Sequence, residues 1–236
     1  GSIWNTLGIR PAGRLRNPLP NSAEWTTIGN EKVGLVRSRM QGEMKMDENV
    51  RIEGKQIALR PITLEDTPLI VRWRSDPRVY GTLFRQEPIT QERHRQWLRE
   101  MVLSGKCDQF IIVDKAQNRS VGTVFLKEID REHLRAEYAI FIGEETARGR
   151  GVGSEAARLM TDYGFQQLGL NRIYLYVFAS NARAIASYRS AGFREEGRLR
   201  ENYRCKDGNF ADVLMMSILR SEWLEKRTTE QCVSGC

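Results

Sequence analysis

Metal ligands and redox pairs are scarce in this chain. It has two histidines, His94 and His133, and four cysteines, Cys107, Cys205, Cys232 and Cys236, with no Cys-x-x-Cys pair. Neither a zinc site nor a disulfide scaffold is therefore expected. No apolar run approaches the roughly 18–20 residues needed to cross a bilayer, and the first residues lack the apolar stretch of a secretory leader. There is no internal repeat. Acidic excess is also missing: 37 basic residues stand against 30 acidic ones, a net charge of +7 that favours anionic ligands. What is present is a chain of 236 residues, 40% hydrophobic and 28% charged, enough for one domain plus a further segment. A cytoplasmic protein with no metal and no membrane partner is expected.

The chain opens Gly1-Ser2, as a cleaved tag leaves it, and Met40, Met44 and Met46 are alternative starts. Residues 1–46 read as an N-terminal extension, partly tag or linker, with a short hairpin across Gly29-Asn30. Trp4 and Trp25 among Arg10, Arg14 and Arg16 are too sparse for a nucleic-acid platform, so nucleic acid is not expected as a partner. Residues 47–226 form the domain and 227–236 a frayed tail. Within the domain, Gln56–Pro61 alternates like a strand, Thr63–Asp66 starts one helix and Thr90 caps another. Strands are predicted at Gln109–Asp114, Ser120–Ile129 and Arg135–Ile142, then a helix from Val152 to about Leu168. A strand at Asn171–Phe178, a helix at Ala182–Ser190 ended by Gly192, and strands near Phe193–Tyr203 and Phe210–Leu219 close the pattern. This order describes an α/β fold with a mixed, mostly antiparallel sheet of about seven strands flanked by helices.

Arg148-Gly149-Arg150-Gly151-Val152-Gly153-Ser154 stands between a strand and an amphipathic helix. Glycines let the backbone turn tightly and approach a ligand, and the free amides of a helix's first turn attract anions. Arg148 and Arg150 are expected to add charge at the same mouth, making a pyrophosphate cradle. The loop lacks the lysine of a Walker motif, and its third glycine is misplaced for a dinucleotide fingerprint.

Arg148-x-x-Gly151-x-Gly153, followed by a helix, a strand and Asn181-x-x-Ala184-Ile185-x-x-Tyr188-x-x-x-Gly192-Phe193, resembles the GNAT superfamily of acetyl-CoA-dependent N-acetyltransferases. The resemblance covers roughly Ile57 to Trp223. Trp73-Arg74-x-Asp76-Pro77, Ala136-Glu137-Tyr138 and Asp162-Tyr163-Gly164-Phe165 are similar to the group acting on ribosomal-protein N-termini, spermidine and nucleotide-linked amino sugars. These motifs fix the chemistry better than the acceptor.

The resemblance implies direct transfer of acetyl from acetyl-CoA, the cosubstrate, to a primary amine. Backbone groups of Ile140, Phe141 and Ile142 would pair with the pantetheine arm. Amides of Arg148, Gly149, Arg150, Gly151, Val152, Gly153 and Ser154 would hold the pyrophosphate, and Asn181 would bond near the pantetheine while capping its helix. Tyr188 would protonate the departing thiolate. As general base Glu137 is the first candidate by position and Glu128 the second. His94 has two readings, a residue lining the acceptor pocket, as that part of the fold often supplies, and the preferred one, a solvated helical histidine; His133 has no assigned role, and Cys107 and Cys205 are ordinary residues. Relatives are often dimers through the C-terminal strands, so a homodimer is implied, with Asp212–Leu219 apolar enough to join it. The alternative is a non-catalytic CoA-binding sensor, which would have no use for Tyr188.

Overall fold

The computed structural model describes residues 51–234 together with four short strands before them: β1 (Thr26–Ile28), β2 (Glu31–Val33), β3 (Arg37–Met40) and β4 (Glu43–Met46). β1 and β2 pair antiparallel, Thr26 opposite Val33, as the expected hairpin requires, and β3 and β4 form a second hairpin that the sequence reading did not include. The expected tag remnant and the sparse N-terminal arginines lie outside the described residues.

The domain is built on an eight-stranded sheet ordered β11-β12-β10-β9-β8-β7-β6-β5. Its strands are β5 (Ile52–Glu53), β6 (Ile57–Pro61), β7 (Asp108–Asp114), β8 (Arg119–Asp130), β9 (Arg135–Ile142), β10 (Arg172–Phe178), β11 (Arg194–Arg204) and β12 (Phe210–Leu219). The short β5 is the strand missing from the expected count of seven. Every neighbouring pair is antiparallel except β9 with β10.

Helices α4 (Val152–Gln166), α5 (Ala182–Ala191) and α6 (Arg220–Ser234) cover one face. The apolar stripe of α4, Val152, Ala156, Leu159, Met160 and Tyr163, is buried there, with Tyr138, Ile173 and Met216 from the sheet. Each such side chain contributes about 1.5–3 kcal/mol by leaving water. On the other face α1 (Thr67–Arg74), α2 (Pro77–Tyr80) and α3 (Gln91–Trp97), the last continued by a wider turn at Leu98–Val102, bury Ile70, Trp73, Leu98 and Val102 against Ile111 and Phe141. The helix start predicted at Thr63–Asp66 is held by a capping box, the Thr63 amide donating to Asp66 Oδ2 at 2.9 Å. Thr90 accepts from the Arg93 amide at 3.2 Å.

One expectation is corrected at the C-terminus. α6 runs through the boundary placed at residue 226, because Trp223 Nε1 donates to Asp162 Oδ1 at 2.5 Å and Arg227 both pairs with Asp162 at 3.3 Å and lies over the Trp223 ring. Cys236 lies outside the described residues. β12 is an interior strand whose Val213, Met216 and Ile218 serve the core, and the charged β11 beside it is one of the two edges of the sheet.

Candidate active site

β9 and β10 run side by side only from Arg135–Glu137 against Arg172–Tyr174, then part. Beyond that point the β10-facing edge of Ile140, Phe141 and Ile142 has no strand partner among the described residues. A cavity of about 880 Å³ opens along this seam, running from the glycine loop at the start of α4 to the underside of α1 and α3.

Gly149 and Gly151 adopt φ of 81° and 82°, a region that disfavours side chains, and Gly151 is the N-cap of α4. Arg148, Gly149, Gly151, Gly153 and Ser154 line the cavity. Val152 turns into the core instead, leaving only its backbone for a ligand. Arg150 does not face the mouth: its Nη1 donates to the buried carboxylate of Asp114 at 2.9 Å, so the predicted second charge there is corrected. Arg183, which the sequence reading missed, takes that place. It lines the cavity, and its Nη2 lies 3.1 Å from where a Cβ on Gly149 would stand. Its signal was its position two residues after Asn181, in the first turn of α5.

Asn181 accepts from the Ala184 amide at 3.1 Å as the α5 N-cap and also lines the cavity, so its capping role is realised where the implied binding role would need it. Tyr188 reaches the cavity from α5 and is 9% exposed, with burial pushing its phenol up to about 12. Its ring meets Tyr138 edge-on at 5.9 Å and Phe193 at 6.0 Å. The Tyr138 hydroxyl is buried without a hydrogen-bond partner among the described residues, and burial raises its pKa well above the ordinary phenol value. Alternation along β9 carried the signal for Tyr138, since it shares a face with Ala136.

Glu137 and Glu128 both line the cavity. Glu137 is half-buried and paired with Lys127 at 2.6 Å, whereas Glu128 is exposed, at φ 52° in the irregular stretch that ends the β8–β9 ladder. His94 is not solvated. It is 2% exposed, its Nδ1 lies 3.0 Å from Thr67 Oγ1, and its Nε2 has no partner among the described residues. Burial lowers its pKa to about 4, so the ring is neutral near pH 7. The helical stripe of Trp97 and Leu98, three and four residues on, was the signal for its burial. Beneath it Trp97 Nε1 donates to Gln109 Oε1, Gln109 Nε2 to Thr123 Oγ1 and Thr123 Oγ1 to the Phe110 carbonyl, a satisfied buried chain that floors this end.

A segment from Thr82 to Ile89 roofs the cavity. The Phe84 ring packs on Phe178 at 4.7 Å and on Tyr203 at 5.7 Å, while Tyr203 Oη and Lys206 Nζ donate to the Phe84 and Gln86 carbonyls. Among the described residues no group of three His, Cys, Asp or Glu side chains is placed to hold a metal ion. No described helix is long and apolar enough to cross a membrane. His133 is exposed and pairs with Asp130.

Comparison with known proteins agrees with this geometry. A family model described as an acetyltransferase (GNAT) domain matches residues 56–194. An uncharacterized N-acetyltransferase p20 of Bacillus licheniformis is 34% identical over 172 residues, 72% of this chain and 96% of that protein. The spermidine N(1)-acetyltransferase of Vibrio cholerae is 30% identical, covering 72% of this chain and 97% of its own length. A crystal structure of spermidine N-acetyltransferase from Vibrio cholerae in complex with CoA and spermine superposes with a TM-score of 0.67 at 30% identity, over 72% of this chain and 99% of that one.

Proposed function

Because the chain belongs to the GNAT acetyltransferase family and is an acetyl-CoA-dependent N-acetyltransferase, we propose a residue-level reading of how it performs that transfer. One observation carries the reading. The α4 glycine loop, the unpaired edge of β9 and the buried phenol of Tyr188 all border a single continuous cavity.

Amides of Gly151 to Ser154 and the guanidinium groups of Arg148 and Arg183 bind the pyrophosphate. The edge of β9 that β10 leaves unpaired, where the Ile142 carbonyl accepts from Arg148 Nη2 at 3.0 Å, takes the pantetheine arm as a strand takes its neighbour, which sets the thioester beside Tyr188. The amine nitrogen attacks the thioester carbon and the new C–N bond forms. Backbone N–H groups of β9 stabilise the charge gathering on the carbonyl oxygen. The C–S bond then breaks, Tyr188 donates its proton to the departing thiolate, and the proton shed by the new amide nitrogen returns to the Tyr188 phenolate. A phenol held near pKa 12 keeps that proton at working pH. The acceptor arrives as an ammonium, and Glu137, tied to Lys127, takes up its proton directly or through water.

The reading includes a cytoplasmic enzyme that self-associates as a homodimer, with β11 as the sheet edge open to a second copy. Light scattering on a sizing column checks the assembly. The reading as a whole is tested by incubating the protein with acetyl-CoA and a panel of amines while following thiol release and product mass. Turnover that collapses in Tyr188→Phe is expected. Tight acetyl-CoA binding with undiminished turnover in that variant would remove Tyr188 from its role.

A further inference from the structure

The cavity holds two separate sets of cationic side chains. Arg148 and Arg183 lie with the glycine loop. The second set lies under the roof. Arg74, at the end of α1, donates from Nη2 to the carbonyls of Arg85 at 2.9 Å and Glu87 at 3.5 Å, and Arg85 and Arg93 line the same space. Arg74 Nε is buried without a hydrogen-bond partner, and none of these three arginines forms an ion pair among the described residues. Other partly buried arginines of the domain are matched by carboxylates, as in Arg60 with Asp66 and Arg172 with Glu196.

A partly desolvated guanidinium facing another cation is costly unless something negative joins it. Both burial and the nearby Arg85 charge lower the pKa of Arg74, which agrees with the missing counter-charge. The lining carboxylates do not supply it. Glu137 pairs with Lys127, and Glu137 and Glu128 both act on Tyr174, where β9 and β10 part. Glu87 offers Arg74 its carbonyl, with no ion pair from its side chain among the described residues. The cavity therefore has an acidic side by the seam and a cationic side under the roof, which suits a ligand with one positive and one negative end.

We propose that the acceptor is a primary amine that also carries a phosphate or a carboxylate, and that Arg74 and Arg85 bind this anionic group while the amine points to the seam. The proposal rests on the N-acetyltransferase reading above. It sets this chain apart from relatives named for spermidine, whose acceptor is a polycation that the arginine set would repel.

The test pairs each anionic amine with its uncharged counterpart: an amino-sugar phosphate with the parent amino sugar, and an amino acid with its amide. Spermidine completes the panel. The expected result is a kcat/KM roughly ten- to a hundredfold higher for the anionic member of a pair, the size a charged hydrogen bond supplies. That preference is lost in Arg74→Gln and in Arg85→Gln and kept in Arg74→Lys, with KM for acetyl-CoA unchanged. The Arg85 variant guards against a folding defect, since that side chain is exposed and makes no bond of its own among the described residues. Equal turnover of both members, or faster turnover of spermidine, overturns the proposal while leaving the N-acetyltransferase reading intact. So does a variant that raises KM for acetyl-CoA alone, because the anion would then be a phosphate of CoA. Acetyl-CoA binding with no turnover of any amine would overturn both.

Discussion

Arg150 and Asp114 tie the glycine loop to the end of β7 through a 2.9 Å bond from Nη1 to Oδ2. The carboxylate is nearly inaccessible, and its other oxygen accepts from the Ala116 amide at 2.9 Å. Arg150→Ala leaves a buried charge half-satisfied. Because the guanidinium is 43% exposed, the expected loss is only about 1–2 kcal/mol of stability. The loop's grip on pyrophosphate should loosen as well, raising KM for acetyl-CoA several-fold with little change in kcat. A thermal double-mutant cycle with Asp114→Asn checks the coupling, and strictly additive losses would show that the pair does not act as a brace.

Tyr188→Phe removes one oxygen from a buried ring whose packing against Tyr138 and Phe193 is otherwise kept. Stability should hardly change, while kcat falls about a hundredfold, the usual contribution of a placed acid. Burial raises the phenol to about 12, so the acid form persists through pH 10. The pH–rate profile of the unaltered protein should therefore rise as the amine deprotonates and then stay level to pH 10. A falling limb below pH 10 that disappears in Tyr188→Phe would show that burial does not raise the phenol, and a kcat unchanged in Tyr188→Phe would contradict the assignment.

The order of elements was legible because it rests on local pattern. Alternation marked Arg135–Ile142, the Asn181 cap and Gly192 bracketed α5, and the glycines announced the start of α4. What was not legible depends on partners distant in sequence. Whether Arg150 serves a ligand or a brace is decided by Asp114, 36 residues earlier in another strand. Whether residue 227 begins a tail or continues a helix is decided by Asp162 on α4. The roof over the acceptor end consists of a segment without periodicity, fixed by Phe178 and Tyr203. Its arginines became interpretable only once the absence of nearby carboxylates was visible.

His94 makes the fold acid-sensitive. Its pKa of about 4 lies below the ordinary 6.5, mainly through burial, with Asp66 pulling it up and Arg95 pushing it down. Between pH 6.5 and 4 the unfolded chain binds the proton that the folded ring refuses. Stability contributed by the neutral ring is complete above pH 6.5 and declines as pH falls to 4, by up to about 1.4 kcal/mol per pH unit. His94→Gln keeps a polar group near Thr67 without that titration. Urea unfolding of the two proteins should give a difference that grows between pH 4 and 6.5 and is constant above it. Parallel curves across that window would mean His94 protonates normally in the folded state.

Gly143 allows α1 to rest on the end of β9. A Cβ there would stand 2.2 Å from Cγ and Cδ2 of Trp73, far inside contact distance. The indole cannot give way, since it is 2% exposed, meets Phe141 edge-on at 6.2 Å and donates from Nε1 to Glu144 Oε1 at 2.8 Å. Gly143→Ala should therefore push α1 off the sheet and cost about 1–3 kcal/mol, the usual range for overpacking. Arg74 is the residue after Trp73, so the cationic side of the cavity should shift with it and acceptor KM should rise more than acetyl-CoA KM. Shrinking the obstructing ring should relieve the clash, so Trp73→Leu in the Gly143→Ala background ought to cost less than Trp73→Leu alone. Denaturant unfolding of the four proteins in this cycle reads the coupling directly. A Gly143→Ala protein as stable as the parent would show that the helix tolerates a gap that the packing of Trp73 excludes.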